Sequence, residues 1–479
     1  MLCTLALTLC TIAAAETLEF TPENFVLIEN KPRLIIGLYE NPEDDAVLAE
    51  AADAGFNFVR AKSDQASLDR LHRHGVYAWI PLGGNLALKP GGDAGLEKLA
   101  GIVNDFKNHP ALLSWEAPDE SLWNQWYCAH SWIFSEQPRQ LAEKIASTSD
   151  PETAAKQKAA LDRAVDLTRR GLWQQSEEVY DALWKEFGME PQKPDLKMTR
   201  RVEAAGELCE ELNRGWELVR QLDKDHVLWQ NHAPRNSIAG MRAYNRLVDA
   251  AGCDIYPVPA NYKVGHSDLP DKSLTSVGAY TDRMRDAAPG RACWMVLQGF
   301  GWRDIQEGAA YEEDAQLGRR PTWQETRFMA YNSLLHGANA VLYWGTAYIE
   351  KDSNLWRYLL RLARELRALE PAIVAPKPAH GPVAAADETY ASFDGGQPLL
   401  MFRKYAGPGG GDEYALIALN ECYAGIAFDV AGLPPELEGR QLYRLYSEET
   451  VTVRDGGFRD GIQGYDVHVY ATSKKLQAE

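Results

Sequence analysis

The sequence predicts an α/β fold: a (β/α)8 TIM barrel, a helical insertion after strand four, and a C-terminal antiparallel β-sandwich. Three observations predict it. Short apolar runs alternate with helical segments that stop at glycine, and eight such runs can be placed between residues 33 and 344. The alternation breaks over residues 121–222, a stretch too long for a connecting loop. From about residue 376 the pattern changes to short alternating strands divided by turn residues.

Each element has its own signal. Residues 18–31 read as a short hairpin with Glu29-Asn30-Lys31 near its turn, and strand one follows at 33–39. The Ala-rich stretch 45–54 is helical and Gly55 ends it. Strand two is 56–60, the helix 68–74 stops at Gly75, and strand three is 76–82. A helix at 95–107 leads to strand four at 111–115. The insertion opens with Trp123, Trp126, Tyr127 and Trp132. It continues as a long charged helix over 137–187, breaks between Pro191 and Pro194, and ends in a helix over 198–222. It is expected to lie over the barrel mouth. Strands five to eight fall at 226–229, 252–257, 292–298 and 340–344, with helices at 322–336 and 355–369. The sandwich strands are 399–404, 413–420, 425–430, 441–446 and 465–470, with a glycine turn at 407–411. The chain thus divides into 1–15, a barrel at 16–375 and a sandwich at 376–479.

Composition narrows the function. With 479 residues, 45% hydrophobic and 25% charged, the chain is ordinary globular protein. Its net charge of -18 repels phosphate backbones and argues against nucleic acid, but not against neutral glycans. Ten per cent aromatic content with 14 Trp suits sugar stacking and a large core alike. Residues 1–15 carry no charge, with an apolar centre at 2–12 and Ala13-Ala14-Ala15 as a cleavage site. That is a signal-peptide pattern without a basic start, and it predicts a secreted or periplasmic protein. Cys10 follows Leu9 and makes a poor lipobox, and no later run is long enough to span a membrane. The cysteines beyond residue 15 (Cys128, Cys209, Cys253, Cys293 and Cys422) are odd in number and widely spaced, which predicts mostly buried thiols. No Cys-x-x-Cys pair, no His-x-x-x-His pair and no Gly-rich loop after strand one occurs, so neither metal nor cofactor is expected. Oligomeric state has no signal in the sequence.

The chemistry concentrates at Leu112-Leu113-Ser114-Trp115-Glu116-Ala117-Pro118-Asp119-Glu120, where an apolar strand runs into three carboxylates. Strand C-termini are where (β/α)8 barrels place reactive groups. A carboxylic acid held protonated beside an ionised partner is what glycosidic cleavage needs. Glu120 is the expected general acid, with Trp115 and Trp123 to desolvate it and Asp119 or Glu116 to add like charge. The bland reading of Asp119 and Glu120 is a pair of helix N-caps. Asp254 at the end of strand six is the expected second carboxylate, ahead of Glu307, Glu350 and Asp304. Assistance by a 2-acetamido group of the substrate is a further option. Glu116, Trp229, Asn231, His232, Tyr256, Gln298, Trp302 and Trp344 are expected sugar contacts, since aromatic faces cover the C–H side of a pyranose and amides bind its hydroxyls. Core packing is the rival reading for Trp229 and Tyr343, and a structural role for His232.

On three of these places the chain resembles the clan A glycoside hydrolases, retaining (β/α)8 enzymes. Asp119-Glu120 is similar to the Asn-Glu pair that carries the clan's acid/base. His336-Gly337-Ala338-Asn339-Ala340 before Tyr343-Trp344 looks like the run into strand eight, whose Trp often floors the sugar subsite. Tyr256 lies where the clan often keeps an aromatic or polar helper. The resemblance implies a hydrolase of oligo- or polysaccharides. One departure is serious: the clan's strand-seven nucleophile is Glu, and this chain has Gln298, an amide that cannot form a glycosyl ester. The rival expectation is therefore a degenerate barrel that binds carbohydrate. A lyase or epimerase would need a basic rim, for which Arg60, Lys62 and His232 give little support.

Overall fold

Eight parallel strands, largely buried and mostly apolar, close into a barrel in sequence order: β1 (Ile35–Leu38), β2 (Phe58–Arg60), β3 (Tyr77–Pro81), β4 (Leu112–Glu116), β5 (Val227–His232), β6 (Ala250–Ile255), β7 (Ala292–Gln298) and β8 (Ala340–Trp344). Residues 18–259, 273–306, 313–314, 316–387, 396–407 and 409–478 are described in this computed structural model. The expected leader at 1–15, Glu307 and part of the 407–411 turn lie outside the described residues. β8 closes on β1 through Ala340 opposite Ile35 and on β7 through Trp344 opposite Gln298. Before β1, Leu27–Ile28 pairs with Lys31–Pro32 around Glu29 and Asn30, both at positive φ, so the hairpin expected over 18–31 is a shorter one whose two-residue turn lies within the expected 29–31.

Aromatic rings fill the barrel axis. Trp229 packs within 5.4–6.4 Å of Trp79, Phe58 and Trp294, with Tyr39 above it at 5.8 Å. Glycine permits one close approach: a Cβ on Gly252 of β6 would fall 1.5 Å from the Trp294 carbonyl oxygen. Helices α1 (Asp45–Ala54), α2 (Gln65–Arg73) and α3 (Asp93–Phe106) follow β1, β2 and β3.

The insertion departs from the sequence reading in two ways. The single helix expected over 137–187 is three: α5 (Gln137–Ala146), α6 (Pro151–Arg169) and α7 (Trp173–Glu186), after α4 (Ser121–Ser131). Asp150 caps α6 by accepting from the Thr153 N–H, and Gly171 ends it at φ 73. Trp132, Leu141, Leu161, Tyr180 and Trp184 form a separate core for this lobe. The last helix, α8 (Arg201–Leu222), packs on α3 and on α9 (Ile238–Tyr244), so it is the barrel helix between β4 and β5 and the insertion proper stops short of it.

α10 (Ser276–Ala287) follows β6. A short α11 (Trp302–Ile305) and α12 (Trp323–Leu335) follow β7, and α13 (Asn354–Ile373) follows β8. Thr322 and Glu325 form a capping box that starts α12. The C-terminal part is two antiparallel sheets. One orders β9 (Val383–Ala386), β12 (Ile426–Ala431) and β15 (Gly457–Ile462). The other orders β10 (Leu399–Ala406), β11 (Asp412–Leu419), β16 (Val467–Ala471), β13 (Gln441–Arg444) and β14 (Thr450–Thr452). Period-two alternation gives the larger sheet two apolar faces. Phe402, Leu416 and Tyr470 face the sandwich interior, while Met401, Ile417 and Val469 join the barrel's core. Among the described residues no helix is long and apolar enough to cross a membrane. No disulfide joins the described cysteines, of which Cys209, Cys253 and Cys293 are buried.

Candidate active site

The site is built where β4, β5 and β6 end. β4 stops at Glu116, and the chain turns through Pro118 into α4. The Glu120 N–H donates to the Asn231 carbonyl at 3.3 Å, and Glu120 itself holds the left-handed region at φ 49. Such a conformation is costly for any residue that carries a Cβ and marks a constrained position. Glu120 stands at the N-cap position of α4, yet its side chain makes no capping bond. The N-cap explanation of this carboxyl therefore fails, and the group is left for other work.

Four carboxyls converge with three kinds of support. Glu116 is buried, accepts from Trp79 Nε1 at 3.0 Å and from the Tyr39 hydroxyl at 3.4 Å, and has Arg60 at 3.9 Å. Asn231 Nδ2 donates to Asp119 Oδ1 at 2.8 Å and to Asp254 Oδ1 at 2.6 Å, so one amide ties two carboxyls side by side. The Tyr256 hydroxyl donates to the other oxygen of Asp254 at 2.9 Å. Both oxygens of Asp254 are thus occupied, and the residue is 8% exposed. Asp119 differs: its surface is open to solvent.

Electrostatics separate the four. Burial pushes the Glu116 carboxyl up to about 8, with the Asp119 charge adding to it and Arg60 opposing. Burial raises Glu120 to about 7, again reinforced by Asp119. Burial lifts Asp254 well above the usual carboxylate range, and the charges of Asp119 and Glu120 lift it further. Asp119 is raised by burial but held down by the Asn231 hydrogen bond and by Arg60. Like charges this close cannot all ionise. Glu120, raised to about 7, is the carboxyl of the cluster that exchanges its proton near neutrality.

The expected sugar contacts sort by position. Tyr256 stacks on Trp344 at 5.6 Å and 21°, and Trp344 is partly open, so these two join the carboxyl cluster through Asp254. Trp302 is buried against Phe300 and Tyr256 beneath that stack. Trp229 lies in the barrel's aromatic core, and Tyr343 is buried in β8. His232 is buried, shares a hydrogen bond with Asn245 Oδ1 at 2.8 Å, and is depressed by burial to about 4, so it is a neutral structural imidazole. Strand alternation explains this, since β5 extends through His232 and points Asn231 and His232 to opposite faces. Gln298 accepts from Val258 N–H at 2.8 Å and donates to the Val258 and Phe300 carbonyls at 2.9 and 3.0 Å. Fully buried, it clamps backbone and offers nothing to a ligand. Asp304 and Glu350 both bind Arg320 and stand apart from the cluster. Sequence reasoning missed Tyr39 and Trp79 as partners of Glu116. Tyr39 could have been found, because it directly follows strand one as Glu116 ends strand four.

No protein-family model matches the chain, and no curated protein does. Solved structures align over most of its length. A β-galactosidase from Bacillus circulans sp. alkalophilus is 10% identical, covering 94% of this chain and 100% of its own, at a TM-score of 0.49. A protein described as a glycoside hydrolase is 11% identical over 95% of this chain and 96% of its own, at 0.47. A putative α-galactosidase from Bacteroides fragilis NCTC 9343 is 11% identical over 91% of this chain and 78% of its own, at 0.45. Likenesses this distant leave the chemistry to be argued from the residues themselves.

Proposed function

We propose that the protein is an exported glycoside hydrolase that cleaves O-glycosidic bonds of an oligo- or polysaccharide, with Glu120 as general acid. The observation that carries this reading is Glu120 itself: a carboxyl in the turn after β4, without a capping bond, lifted to about 7 by burial and by the neighbouring Asp119. Protonating a glycosidic oxygen needs a group still protonated at working pH and able to release its proton in the transition state. Asp119, open to solvent and hydrogen-bonded by Asn231, is the carboxyl that would stabilise the positive charge that grows at the anomeric centre. Asp254, with both oxygens held, is better suited to fix Asp119 through Asn231 than to attack carbon. Trp344, stacked on Tyr256, supplies a partly open ring for a pyranose face. Gln298 clamps backbone, which gives the amide a structural role of its own and weakens the support it lends to the binding-only reading.

The test is hydrolysis of a panel of aryl glycosides and oligosaccharides by wild type and Glu120→Gln. Wild type should turn over at least one of them. The substitution should lower kcat/KM by at least about a hundredfold, the usual contribution of a general acid. The acid must be protonated, so wild-type kcat/KM should fall as pH rises through about 7. Full activity in Glu120→Gln would remove Glu120 from the mechanism. NMR of the first-formed anomer then separates inversion by a water molecule from retention by an enzyme or substrate nucleophile.

A further inference from the structure

Above the aromatic core, the barrel strands end in a layer of inward-facing residues, and most of their polar ends are held by the protein itself. Tyr39 and Trp79 donate to Glu116. Asn231 donates to Asp254, whose other oxygen takes the Tyr256 hydroxyl. Gln298 clamps the backbone at Val258 and Phe300. Arg60, the last residue of β2, is different. Phe58 sets its ring 4.6 Å from that of Trp79 in the barrel axis, and Arg60 follows two residues later on the same strand, so period-two alternation turns its side chain inward as well. That side chain is 47% exposed. Its one ionic contact among the described residues is Nε to Glu116 Oε2 at 3.9 Å, beyond hydrogen-bond reach. Both Glu116 oxygens already hold a donor, so Glu116 does not require the guanidinium for its own hydrogen bonding. Pairing with β3 runs one residue further, where buried Ala61 donates its N–H to the Trp79 carbonyl at 2.9 Å, and Lys62 is exposed beyond it. A chain of net charge -18 thus keeps a guanidinium with its donors unspent beside the acid cluster, with a second cation two residues on.

We propose that Arg60 is a specificity-determining residue that binds the carboxylate of an acidic sugar, so that the substrate is a glycoside of a uronic acid. The inference rests on the glycosidase reading of this mouth. A guanidinium presents a planar fork of N–H donors, which a carboxylate accepts with two parallel hydrogen bonds. A single sugar hydroxyl offers one oxygen and leaves half of that fork unused. The order of the strands gives the ring its place. β2 lies opposite β6 in the eight-strand circle, and β4 lies opposite β8. A pyranose between Trp344 of β8 and Glu120 after β4 therefore turns one edge to Asp254 and the other to Arg60. The rival role for Arg60 is to offset the Glu116 charge and nothing more. That role needs a positive charge at this point but not a fork. The net charge of the chain opposes long polyanions, so the fitting substrate carries isolated uronic acids rather than an unbroken run of them.

The test reads binding apart from turnover. Glu120→Gln protein is titrated by calorimetry with the 4-nitrophenyl glycosides of glucuronic, galacturonic and mannuronic acid in both anomers. Each is set beside its neutral counterpart, the glucoside, galactoside or mannoside, in which the carboxylate is a hydroxymethyl group. At least one uronide should bind about tenfold or more tightly than its counterpart, the range for hydrogen bonds to a charged group. Arg60→Lys on the same background keeps the charge that faces Glu116 but loses the fork. It should weaken uronide binding about tenfold and leave neutral binding as it was. Arg60→Gln should abolish the preference altogether. Circular dichroism verifies that both variants fold. Equal binding of every uronide and its counterpart, no binding of any uronide, or an unchanged preference in Arg60→Lys overturns the proposal. Wild-type hydrolysis of the same compounds keeps the two readings apart. Neutral glycosides cleaved while no uronide is bound would overturn the acidic-sugar assignment and leave the glycosidase standing. A uronide held through Arg60 yet never cleaved would support the assignment and remove the hydrolase.

Discussion

What a carboxyl does here follows from how many donors reach it. Glu116 receives two donors and Asp254 two, and both are buried, so they are held as fixed acids. Glu120 receives no capping bond and stands beside the Asp119 charge, which leaves its proton available. The positions of these residues were legible in the sequence because strand ends are marked by the switch from apolar to acidic residues. Their partners were not. Nothing in Asn231 or Asp254 as letters says that one amide joins Asp254 to Asp119 across three strand ends. Gln298 is the clearest case. By position it reads as a vacated nucleophile, and by structure it is a donor to two carbonyls and an acceptor from one amide. A carboxylate has no protons to offer those carbonyls. Gln298→Glu should therefore leave Val258 and Phe300 oxygens without donors and destabilise the fold by about 2–4 kcal/mol, without raising hydrolysis. Urea unfolding and the aryl glycoside assay measure the two parts. Unchanged stability, or a gain in turnover, would return Gln298 to the role of a lost nucleophile.

At the scale of elements, glycine stops and apolar runs located all eight strands to within a few residues, because a buried parallel strand has a composition that few other elements share. Helical segmentation in the insertion was harder to read. Charged, Ala-rich sequence favours helix throughout 137–187, and the breaks come from single residues: the Asp150 cap with Pro151, and Gly171 in the left-handed region. Which helix belonged to the barrel was also hidden, since α8 is assigned by what it packs against and not by its own pattern. Glycine inside a strand has a different meaning from glycine at a helix end. Gly252 lets β6 lie against the Trp294 carbonyl of β7, two residues before Asp254. Gly252→Ala should destabilise by about 3 kcal/mol or more, because the clash is with backbone that no side-chain rotation relieves. Gly101→Ala in α3, where an added Cβ meets nothing, should instead stabilise by about 0.5–1 kcal/mol. Thermal melts of the two variants side by side measure this, and equal effects of both would refute the close-packing argument.

At the scale of the whole molecule, the β-sandwich is fused to the barrel and not merely tethered. One face of its larger sheet completes the barrel's core, and polar anchors fix the rest. Arg327 of α12 pairs with Glu365 of α13 and donates to the Val467 carbonyl at 2.6 Å. His336, at the C-cap of α12, bridges Asp282 of α10 at 2.8 Å and Glu421 of the sandwich at 3.1 Å, with Asn332 also donating to Glu421 at 2.7 Å. Burial opposes the imidazolium, but the hydrogen bonds to Glu421 and Asp282 outweigh it and raise its pKa above the ordinary value of 6.5. Arg285, 3.5 Å from Asp282, is the one cation facing the bridge among these contacts and weakens it without removing it. A histidine with a raised folded-state pKa contributes stability that is fully present below its unfolded pKa and is lost as pH rises through the folded one. His336→Gln should therefore lower stability at pH 6 by about 2 kcal/mol, the range for hydrogen bonds to charged groups, and by clearly less at pH 9. Calorimetry at the two pH values reads both the loss and its form. The shared core requires wild type to melt in one transition, and loss of this bridge to move that transition without splitting it. An equal loss at both pH values would show that His336 acts as a neutral packing group, and a separate low-temperature transition would show that the sandwich is an independent unit.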